Sequence, residues 1–380
     1  MSTRVAAAAA SSRAPEQYPP LRTQLVAIGV DHATAGIAVR ERLAFSETEI
    51  PGVLHRLIDP VDRLLEQAAI LSTCNRVEVY GVAATQPAEH RLASFLALDR
   101  GLGLSDVERH VYVYRGAHAV HRLAATAAGI HSLVLGEAQI QGQIRRALEL
   151  ALIAGTAGPE LRRLFESAIA AGRSVRSDTA IGRGKASVPY LSVEFARRAL
   201  GTLRQSTVLL IGPGEAGQLA AEQVVRRGAR RLLVGGGASD QAVRLAESHG
   251  GHAITPDQLD DALVQSDVVI SATGAPRPIL GRERVRHALS RRLPDAPPLL
   301  LIDLSVPRDV DPAVTLLAGV EVYTVDDLRY TVERTLIQRR AALPEAHAIL
   351  EGAVARFTEW LSRRERRQDE PLRGVFRYAP

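Results

Sequence analysis

Cysteine is almost absent from this sequence: Cys74 is the only one in 380 residues. A single cysteine excludes a framework of internal disulfides, so a reducing cytoplasm is the expected location. Long apolar runs are also missing, because none reaches the roughly 18 to 20 residues that a membrane-spanning helix needs. The alanine-rich start at residues 5–10 lacks the long apolar segment of a secretion signal. These absences favour a soluble globular protein that crosses no membrane.

Lysine is equally scarce, because Lys185 is the only one in the chain. Nearly all of the 47 basic residues are therefore arginines, and with 42 acidic residues they leave a net charge of +5. Arginine favours bidentate contact with carboxylate or phosphate, so an anionic or nucleic-acid partner is one interpretation. A genome rich in G and C gives the same bias. With 46% hydrophobic residues the chain can bury two or three ordinary cores.

Cys74 ends an apolar, strand-like run and stands between Thr73 and Asn75, with Arg76 and Glu78 alternating after it. A thiol is a nucleophile only as the thiolate, and a nearby guanidinium can lower its pKa. Arg76 is therefore a candidate for this task or for binding a substrate carboxylate. The alternative is a buried cysteine that acts as a small hydrophobe. A lone cysteine can also be a catalytic nucleophile whose partners lie far away in the sequence.

The chain divides into four segments of different character. Residues 1–20 mix Ala, Ser, Arg and Pro without periodicity, which predicts a disordered leader. Residues 21–180 alternate short apolar strands with helices and are predicted to form an α+β domain. Residues 181–325 are predicted to form a domain with a doubly wound parallel sheet, and residues 326–380 a long C-terminal helix.

A polar stretch precedes a helix in the first of these domains. Apolar residues recur at helical spacing from Ile140 onward, so the helix is predicted to begin near Glu137. Glu137, Gln139 and Gln143 cluster at its polar start. Such a cluster either caps the helix or lines a polar pocket, and the pattern alone does not decide.

A glycine-rich turn marks the second domain. The apolar strand predicted at residues 208–211 runs into this turn, and a helix rich in Ala, Leu and Val follows. The GxGxxG pattern between a strand and a helix predicts a Rossmann-like dinucleotide site, because glycines allow a tight turn and the helix N-terminus stabilises a pyrophosphate. Residues 271–274 follow a later strand, and form either a further part of the ligand edge or a capped turn.

The second strand of this domain lacks both usual signatures of cofactor choice. An acidic residue there binds the ribose of NAD, and an arginine meets the phosphate of NADP. Here residues 235–238 are Gly-Gly-Gly-Ala. Arg230, Arg231 and Lys185 remain as candidates to reach the phosphate.

The C-terminal segment carries an apolar seam from Leu328 to Leu361, at intervals of three, four and seven residues. A helix over residues 326–366 cannot bury this seam alone, so pairing with a second subunit is predicted. The alternative is packing on its own chain. Pro344 is expected to kink the helix.

Together, a thiolate in one domain and a nicotinamide site in the next predict a thioester or thiohemiacetal on Cys74 that exchanges a hydride with the cofactor. A thiolate and a nicotinamide cofactor together can reduce activated acyl groups or oxidise aldehydes, and the residue types do not indicate which direction the reaction takes. No metal-ligand set is expected.

Four stretches stand out together: STCNRVE at residues 72–78, LGEAQIQGQ at 135–143, IDLSVPRDV at 302–310 and YTVDDL at 323–328. In this order and spacing they resemble the hallmark motifs of the glutamyl-tRNA reductase family. The resemblance runs from about residue 25 to the long helix. It implies NADPH-dependent reduction of glutamyl-tRNA to glutamate-1-semialdehyde, the first step of five-carbon tetrapyrrole (porphyrin and haem) biosynthesis.

The resemblance also implies roles for individual residues and partners. Cys74 is implied to attack the aminoacyl ester, to release the tRNA and to hold a thioester. A V-shaped homodimer joined by its C-terminal helices is implied, as is handover of the aldehyde to glutamate-1-semialdehyde aminomutase. The implied glutamate pocket consists of Thr73, Asn75, Arg76, Ser132, Glu137, Ala138, Gln139 and Gln143. The implied pyrophosphate site consists of Gly212, Pro213, Gly214, Glu215, Ala216 and Gly217.

The chain departs from the family's pattern in several places. Arg122 stands where the family usually has a histidine, and arginine cannot shuttle protons near neutral pH. The neighbouring His121 can replace it only if the helix is rotated or shifted by one residue. His131 stands where an aspartate is usual, residues 236–238 replace Asn-Arg-Thr, and the C-terminal region is shorter by some tens of residues.

Two alternatives to the reductase therefore stay open. One is a reductase-like binding or regulatory protein with impaired hydride transfer, which the changed histidine and nucleotide motif favour. The other is a different thiol-dependent NAD(P) oxidoreductase, which the second domain alone allows.

Overall fold

A computed structural model of the chain describes residues 21–83, 88–182, 187–236, 240–328 and 339–369. Its strands are β1 Leu25–Asp31, β2 Leu65–Thr73, β3 Arg76–Ala83, β4 Tyr112–Arg115, β5 Thr207–Ile211, β6 Arg231–Gly235, β7 His252–Ala253, β8 Val268–Ser271, β9 Leu299–Asp303 and β10 Val320–Thr324. Its α-helices are α1 Ile37–Leu43, α2 Ile50–Leu57, α3 Glu89–Asp99, α4 Leu104–Glu108, α5 Ala117–Ala127, α6 Gln139–Ile153, α7 Pro159–Asp178, α8 Val188–Ala199, α9 Glu215–Arg226, α10 Asp240–Ser248, α11 Leu259–Gln265, α12 Arg282–Ser290 and α13 Leu343–Asp369.

The first domain is built on an antiparallel sheet in the order β2-β3-β1-β4. Every residue of β1 and β3 is buried, because the helices α2, α5, α6 and α7 pack against this sheet. β2 and β3 form a hairpin in which Thr73 pairs with Arg76. Cys74 and Asn75 are therefore the loop of the hairpin. The predicted α+β domain is confirmed.

The second domain holds a parallel sheet in the order β10-β9-β8-β5-β6-β7. The strand order reverses beside β5, as in Rossmann folds, and ligands bind such sheets at this switch point. Successive residues face opposite sides: Val208 and Leu210 enter one apolar cluster, and Leu209 and Ile211 enter another. The predicted doubly wound sheet is confirmed.

Some elements of this domain were not predicted. β7 is two exposed residues long, and β10 is half-exposed at the sheet edge, so neither gives an apolar run. Helix α8 was also missed, although Ser187 caps it by accepting the N–H of Tyr190 at 3.3 Å.

The C-terminal helix differs from its prediction. Residues 325–328 form turns and a short 3₁₀ segment, and residues 329–338 of the predicted helix lie outside the described part of the chain. Helix α13 packs on α5 and α7 of its own chain. The seam residues that it buries there are Ala346, Leu350, Val354, Phe357 and Leu361. This part of the seam therefore gives no argument for a second subunit, and packing on its own chain is what the structure shows.

Pro344 is the second residue of α13. The first N–H groups of a helix have no acceptor within the helix, so proline is tolerated there. Residues 339–341 are helical as well, and the turn at Ala342 interrupts the helix two residues before Pro344, so a break lies beside the proline as expected.

Several expectations lie outside the described residues or stay predictions. The leader at residues 1–20, Lys185, and residues 237–238 belong to the undescribed parts of the chain. Among the described helices, none combines the length and apolar character that crossing a bilayer requires. The cytoplasmic location and the domain limits drawn from the sequence remain predictions.

Candidate active site

The backbone around Cys74 is held by hydrogen bonds on both sides. Thr73 Oγ1 accepts the N–H groups of Asn75 and Arg76, each at 3.2 Å. A Thr hydroxyl that bonds to N–H groups two and three residues on stabilises a tight turn. The carbonyl of Cys74 accepts a hydrogen bond from the buried guanidinium of Arg40. The thiol therefore projects from a fixed loop.

The half-buried thiol of Cys74 is protonated near neutral pH in this state. Burial raises its pKa to about 12 and the carboxyl of Glu137 acts in the same direction, while Arg40 and Arg76 oppose both. The expectation that Arg76 leaves the sulfur as a thiolate does not hold here, because burial outweighs the two guanidinium charges. A reacting thiol in this setting needs a proton acceptor.

Glu137 is the candidate for that acceptor, because it is the carboxyl group whose charge raises the pKa of the thiol. It lies just before α6, is 7% exposed and accepts the N–H of Val188 at 3.3 Å. Burial raises the pKa of its carboxyl to about 7. Arg76 of the first domain and Glu215 of the second both act on it electrostatically. Glu137 therefore stands at the boundary of the two domains, within reach of the charges on both sides.

A buried ionic network lies behind the hairpin. Arg122 Nη2 is 2.6 Å from Glu78 Oε1 and 2.7 Å from Asp31 Oδ2. Arg76 Nη1 is 3.1 Å from the same oxygen of Glu78. Burial acts to raise the pKa of Glu78, but the charges of Arg122 and Arg76 prevail and lower it to about 2. Glu78 is therefore a permanent carboxylate, and both arginines are committed to it.

Arg76 is 1% exposed, and its Nη2 also donates to the carbonyl of His131. Its Nε has no partner among the described residues. A substrate carboxylate at Arg76 thus has to share a guanidinium that already binds Glu78.

The two histidines near these residues have different surroundings. His121 faces α13, where its ring stacks on that of His347 with centroids 6.0 Å apart and planes at 3°. It does not take the position of Arg122. Burial, with Arg122 and Arg76, lowers the pKa of His131 well below its usual value, so His131 is a neutral imidazole beside the network.

The remaining predicted pocket residues lie at the start of α6. Ala138 is exposed and precedes the helix, Gln139 is its first residue, and Gln143 follows one turn later, half-buried. The hydrogen bonds and charges described above connect the hairpin, His131 and Glu137, while the pocket role of Ser132 stays a prediction. For Ala138, Gln139 and Gln143 the pocket role rests on their place beside Glu137 and stays a prediction.

The glycine-rich turn has the geometry of a phosphate site. Gly212 has φ +109°, and a Cβ there would lie 2.3 Å from the carbonyl oxygen of Ala272. A Cβ at Gly217 would lie 1.9 Å from the oxygen of Gly212, so the helix and turn pack in contact. Gly214, which precedes α9, faces open space. The open side of Gly214 at a helix N-terminus fits a dinucleotide pyrophosphate.

Buried carboxyl groups fix the neighbouring turn at residues 271–274. Asp309 Oδ2 accepts the Ser305 hydroxyl at 2.6 Å and the N–H of Thr273 at 3.1 Å. Asp303 Oδ1 accepts the N–H of Ser305 at 2.9 Å, and burial raises its pKa to about 7. These aspartates were not singled out by residue chemistry, although they lie in one of the four motifs. They hold this turn against Gly212, at the switch point of the sheet.

The end of β6 approaches the same turn. The carbonyl of Gly235 accepts the N–H of Gly212 at 2.9 Å, and Gly236 has φ +132°. A Cβ at Gly236 would lie 2.9 Å from the nitrogen of Gly212. Arg231 begins β6 and donates to Gln265 at 3.0 Å, at the amino ends of the strands and away from the glycine-rich turn. Arg231 and the preceding Arg230 therefore do not reach a cofactor phosphate.

The fold and the site together define a class: a two-domain oxidoreductase that uses a nicotinamide nucleotide and presents a thiol at the domain boundary. Residues 28–179 match the family model "Glutamyl-tRNAGlu reductase, N-terminal domain", and residues 194–331 match "Shikimate / quinate 5-dehydrogenase". The glutamyl-tRNA reductase of Chloroflexus aggregans is 44% identical over 347 residues, which cover 89% of this chain and 77% of that protein.

Other relatives agree. The glutamyl-tRNA reductase of Pseudomonas aeruginosa is 38% identical over 336 residues, which cover 88% of this chain and 78% of that protein. The solved structure of the Methanopyrus kandleri glutamyl-tRNA reductase is 34% identical with a TM-score of 0.51, covering 90% of this chain and 82% of its own. The chain belongs to the glutamyl-tRNA reductase family. Because these relatives span both domains, the resemblance does not rest on the second domain alone.

Proposed function

We propose that this protein reduces the glutamyl group of glutamyl-tRNA to glutamate-1-semialdehyde with NADPH, as the first step of tetrapyrrole biosynthesis. The observation that carries this proposal is the position of Cys74. Its thiol projects from a fixed loop and its pKa responds to the charge of Glu137, and the pKa of Glu137 in turn responds to Glu215 at the glycine-rich turn of the second domain.

The first half of the reaction is acyl transfer to sulfur. Cys74 Sγ attacks the ester carbonyl of the glutamyl group, and the carbon–oxygen bond to the tRNA ribose breaks. Glu137 takes the thiol proton and returns it to the ribose oxygen as the tRNA leaves, so charge and protons balance. A carboxyl with a pKa of about 7 is suited to both steps near neutral pH. The product is a thioester on Cys74.

The second domain provides the reducing half. When bound, NADPH supplies the hydride that converts an activated acyl group into an aldehyde. The turn at residues 212–217 would hold the pyrophosphate, and the open side of Gly214 would leave room for it. The turn at residues 271–274, fixed by Asp309, forms the adjacent wall. The preference for NADPH rests on family membership, because the described end of β6 carries neither an acid nor an arginine.

The proposed glutamate pocket surrounds the hairpin. Arg76 is the proposed partner of the substrate carboxylate. Its guanidinium also binds Glu78, and its buried Nε has no partner among the described residues. Asn75, which is 6% exposed, has a buried side-chain oxygen without a partner among the described residues. That oxygen can accept from the substrate ammonium group. The other proposed lining residues are Thr73, Ser132, Glu137, Ala138, Gln139 and Gln143.

A single-turnover assay tests the proposal. Glutamyl-tRNA charged with labelled glutamate is mixed with the protein and with NADPH, NADH or no cofactor. Semialdehyde is expected with NADPH, and labelled protein without cofactor. Cys74→Ser is expected to fold normally and to form neither product, because a hydroxyl is a far weaker nucleophile at this position. A Ser variant with undiminished semialdehyde formation would exclude the thioester.

A second candidate function is a reductase-like binding or regulatory protein without efficient hydride transfer. The observation in its favour is Arg122, which the network with Glu78 and Asp31 locks in place of the usual histidine. In the same assay this function gives labelled protein or free glutamate, or bound tRNA alone, with no semialdehyde.

We also propose a homodimer and transfer of the aldehyde to glutamate-1-semialdehyde aminomutase. The described seam of α13 is buried on its own chain, so a dimer needs another surface. Light scattering measures the molar mass directly. If the aldehyde passes directly to the aminomutase, the coupled reaction should show a shorter lag than it would if the aldehyde first diffused into solution. The domain limits of residues 21–180, 181–325 and 326–380 are part of this proposal.

A further inference from the structure

Helix α1 joins the two domains through adjacent residues of opposite charge. Arg40 Nη2 lies 2.6 Å from Asp326 Oδ1. Glu41 accepts three hydrogen bonds from Arg308, two at 2.7 Å and one at 2.8 Å. Both ion pairs reach from the first domain to the second, but only the one made by Arg40 also contacts the candidate nucleophile.

The guanidinium of Arg40 is fully buried, and each of its three nitrogens has an acceptor. Nε donates to the carbonyl of Ala35 at 3.2 Å, Nη1 donates to the carbonyl of Cys74, and Nη2 donates to Asp326. A guanidinium is planar and presents its donors at fixed angles, so fixing one edge orients the other. The contact with Asp326 therefore restricts where the carbonyl of Cys74 is held.

Arg40 also acts on the sulfur through its charge. The charged groups that influence the Cys74 thiol are Glu137 before α6, Arg40 on α1 and Arg76 on β3. Arg76 is already committed to the carboxylate of Glu78. Arg40 instead meets Asp326, which is 28% exposed and lies two residues after β10 of the second domain's sheet. Loss of this contact therefore changes the position of Arg40 without disturbing the ionic network behind the hairpin.

We propose that Arg40 is a positioning residue for Cys74, and that Asp326, which follows β10 of the second domain's sheet, keeps Arg40 in place. Acyl transfer by Cys74 then depends on contact between the two domains at this point. The proposal takes the nucleophilic role of Cys74 from the proposed function. The geometry of Arg40 and its effect on the thiol can be measured without glutamyl-tRNA.

The test compares Arg40→Gln and Asp326→Asn with Glu41→Gln. The last variant is the matched control, because it breaks the neighbouring ion pair between the same domains without touching Cys74. The first measurement is the rate of Cys74 alkylation by iodoacetamide as a function of pH, with circular dichroism to check folding. The second is the rate of glutamyl transfer to the protein from labelled glutamyl-tRNA without cofactor.

Arg40→Gln is expected to slow alkylation of Cys74 at neutral pH about tenfold, because a rise of one unit in the pKa of the thiol lowers the thiolate fraction by that factor. Glutamyl transfer is expected to slow at least as much. Asp326→Asn is expected to shift both rates in the same direction by less. Glu41→Gln is expected to leave both unchanged. If Arg40→Gln does not fold, the comparison of Asp326→Asn with Glu41→Gln decides.

Two results would overturn the proposal. One is a folded Arg40→Gln protein with an unaltered pH profile of alkylation. The other is equal slowing by Asp326→Asn and Glu41→Gln, which would mean that domain contact in general, and not Arg40, affects the cysteine. If the unaltered protein takes up no glutamate from tRNA, the proposed function fails, but the alkylation data still decide the role of Arg40.

Discussion

Arg122 and Glu78 form an ion pair 2.6 Å long inside the first domain, and both side chains are buried. The guanidinium also lies 4.2 Å from the centre of the Tyr112 ring. A buried charge is tolerated when it is paired and hydrogen-bonded, as here. The residue that replaces the family's usual histidine is thus a permanent cation in an ionic core, and the protein places no proton shuttle at that position.

Replacing Arg122 by Met is expected to destabilise the protein by about 3 to 5 kcal/mol, because Glu78 and Asp31 lose a buried partner. Urea unfolding followed by circular dichroism measures the change. The control is Arg109→Met, since Arg109 pairs with Asp106 at the surface. An exposed pair contributes about 0 to 1 kcal/mol. Similar losses in the two variants would contradict the assignment of Arg122 to a buried network.

The same network predicts how stability depends on pH. The carboxyl of Glu78 has an ordinary pKa of 4.5 when unfolded and about 2 when folded. Its stabilisation is therefore complete above pH 4.5 and is lost as the pH falls through 2. The expected loss is about 3 kcal/mol.

Glu78→Gln tests this dependence. The variant is expected to be less stable at neutral pH, because Arg122 and Arg76 lose their shared carboxylate. Its free energy of unfolding should also fall less steeply between pH 4.5 and 2 than that of the unaltered protein. Equal slopes in the two proteins would show that Glu78 does not carry the stabilisation.

Local features of this site could be predicted from the sequence, and long-range pairing could not. The loop of Cys74 and the turn at residues 212–217 each follow from a few consecutive residues, and the structure has both. The carboxylate partners of Arg122 are 44 and 91 residues away, and that of Arg40 is Asp326 at a separation of 286. Nothing in the periodicity around these arginines indicates which carboxylates they meet.

The fold shows the same limit. The apolar strands of the parallel sheet were predictable because burial on both faces gives short apolar runs, while the exposed β7 was not. For α13, the apolar seam correctly indicated a buried face. It did not indicate which surface covers that face, because the same apolar residues can pack on the helix's own chain or on a second subunit. The raised pKa of Cys74 depends on enclosure by several segments, which spacing does not show.

The raised pKa of Glu137 predicts that the rate of glutamyl transfer to Cys74 falls at acid pH. Because burial raises its pKa to about 7, the carboxyl accepts a proton only above that pH, so the rate should rise through pH 7. Glu137→Gln is expected to lose this rise and to slow transfer about a hundredfold or more. Glu149→Gln, on the exposed side of helix α6, which begins two residues after Glu137, is the control.

Alkylation of Cys74 separates this role from a general structural one. The charge of Glu137 helps to raise the pKa of the thiol, so Glu137→Gln should allow iodoacetamide to react at lower pH while glutamyl transfer is slower. A variant that loses both reactivities together would indicate a displaced hairpin. A variant whose transfer rate still rises through pH 7 would show that another group accepts the proton.

The cofactor site can be tested separately from folding at Gly214. Its backbone is extended, with φ −66° and ψ −172°, and an added Cβ meets nothing within 4 Å. Gly214→Ala is therefore expected to keep the melting temperature. A methyl group facing the proposed pyrophosphate should raise the dissociation constant of NADPH by roughly tenfold, equivalent to about 1.4 kcal/mol.

Two further glycines in the same domain complete this test. Gly281 precedes α12 in a similar conformation, with φ −74° and ψ 158°, and also faces open space. Gly281→Ala is expected to change neither stability nor cofactor binding. Gly217→Ala is expected to lower the melting temperature, because its Cβ would lie 1.9 Å from the oxygen of Gly212. Titration calorimetry with NADPH and thermal melts of the three variants measure both properties. Unchanged NADPH binding in Gly214→Ala would place the pyrophosphate elsewhere, because the methyl group occupies the open side of the turn.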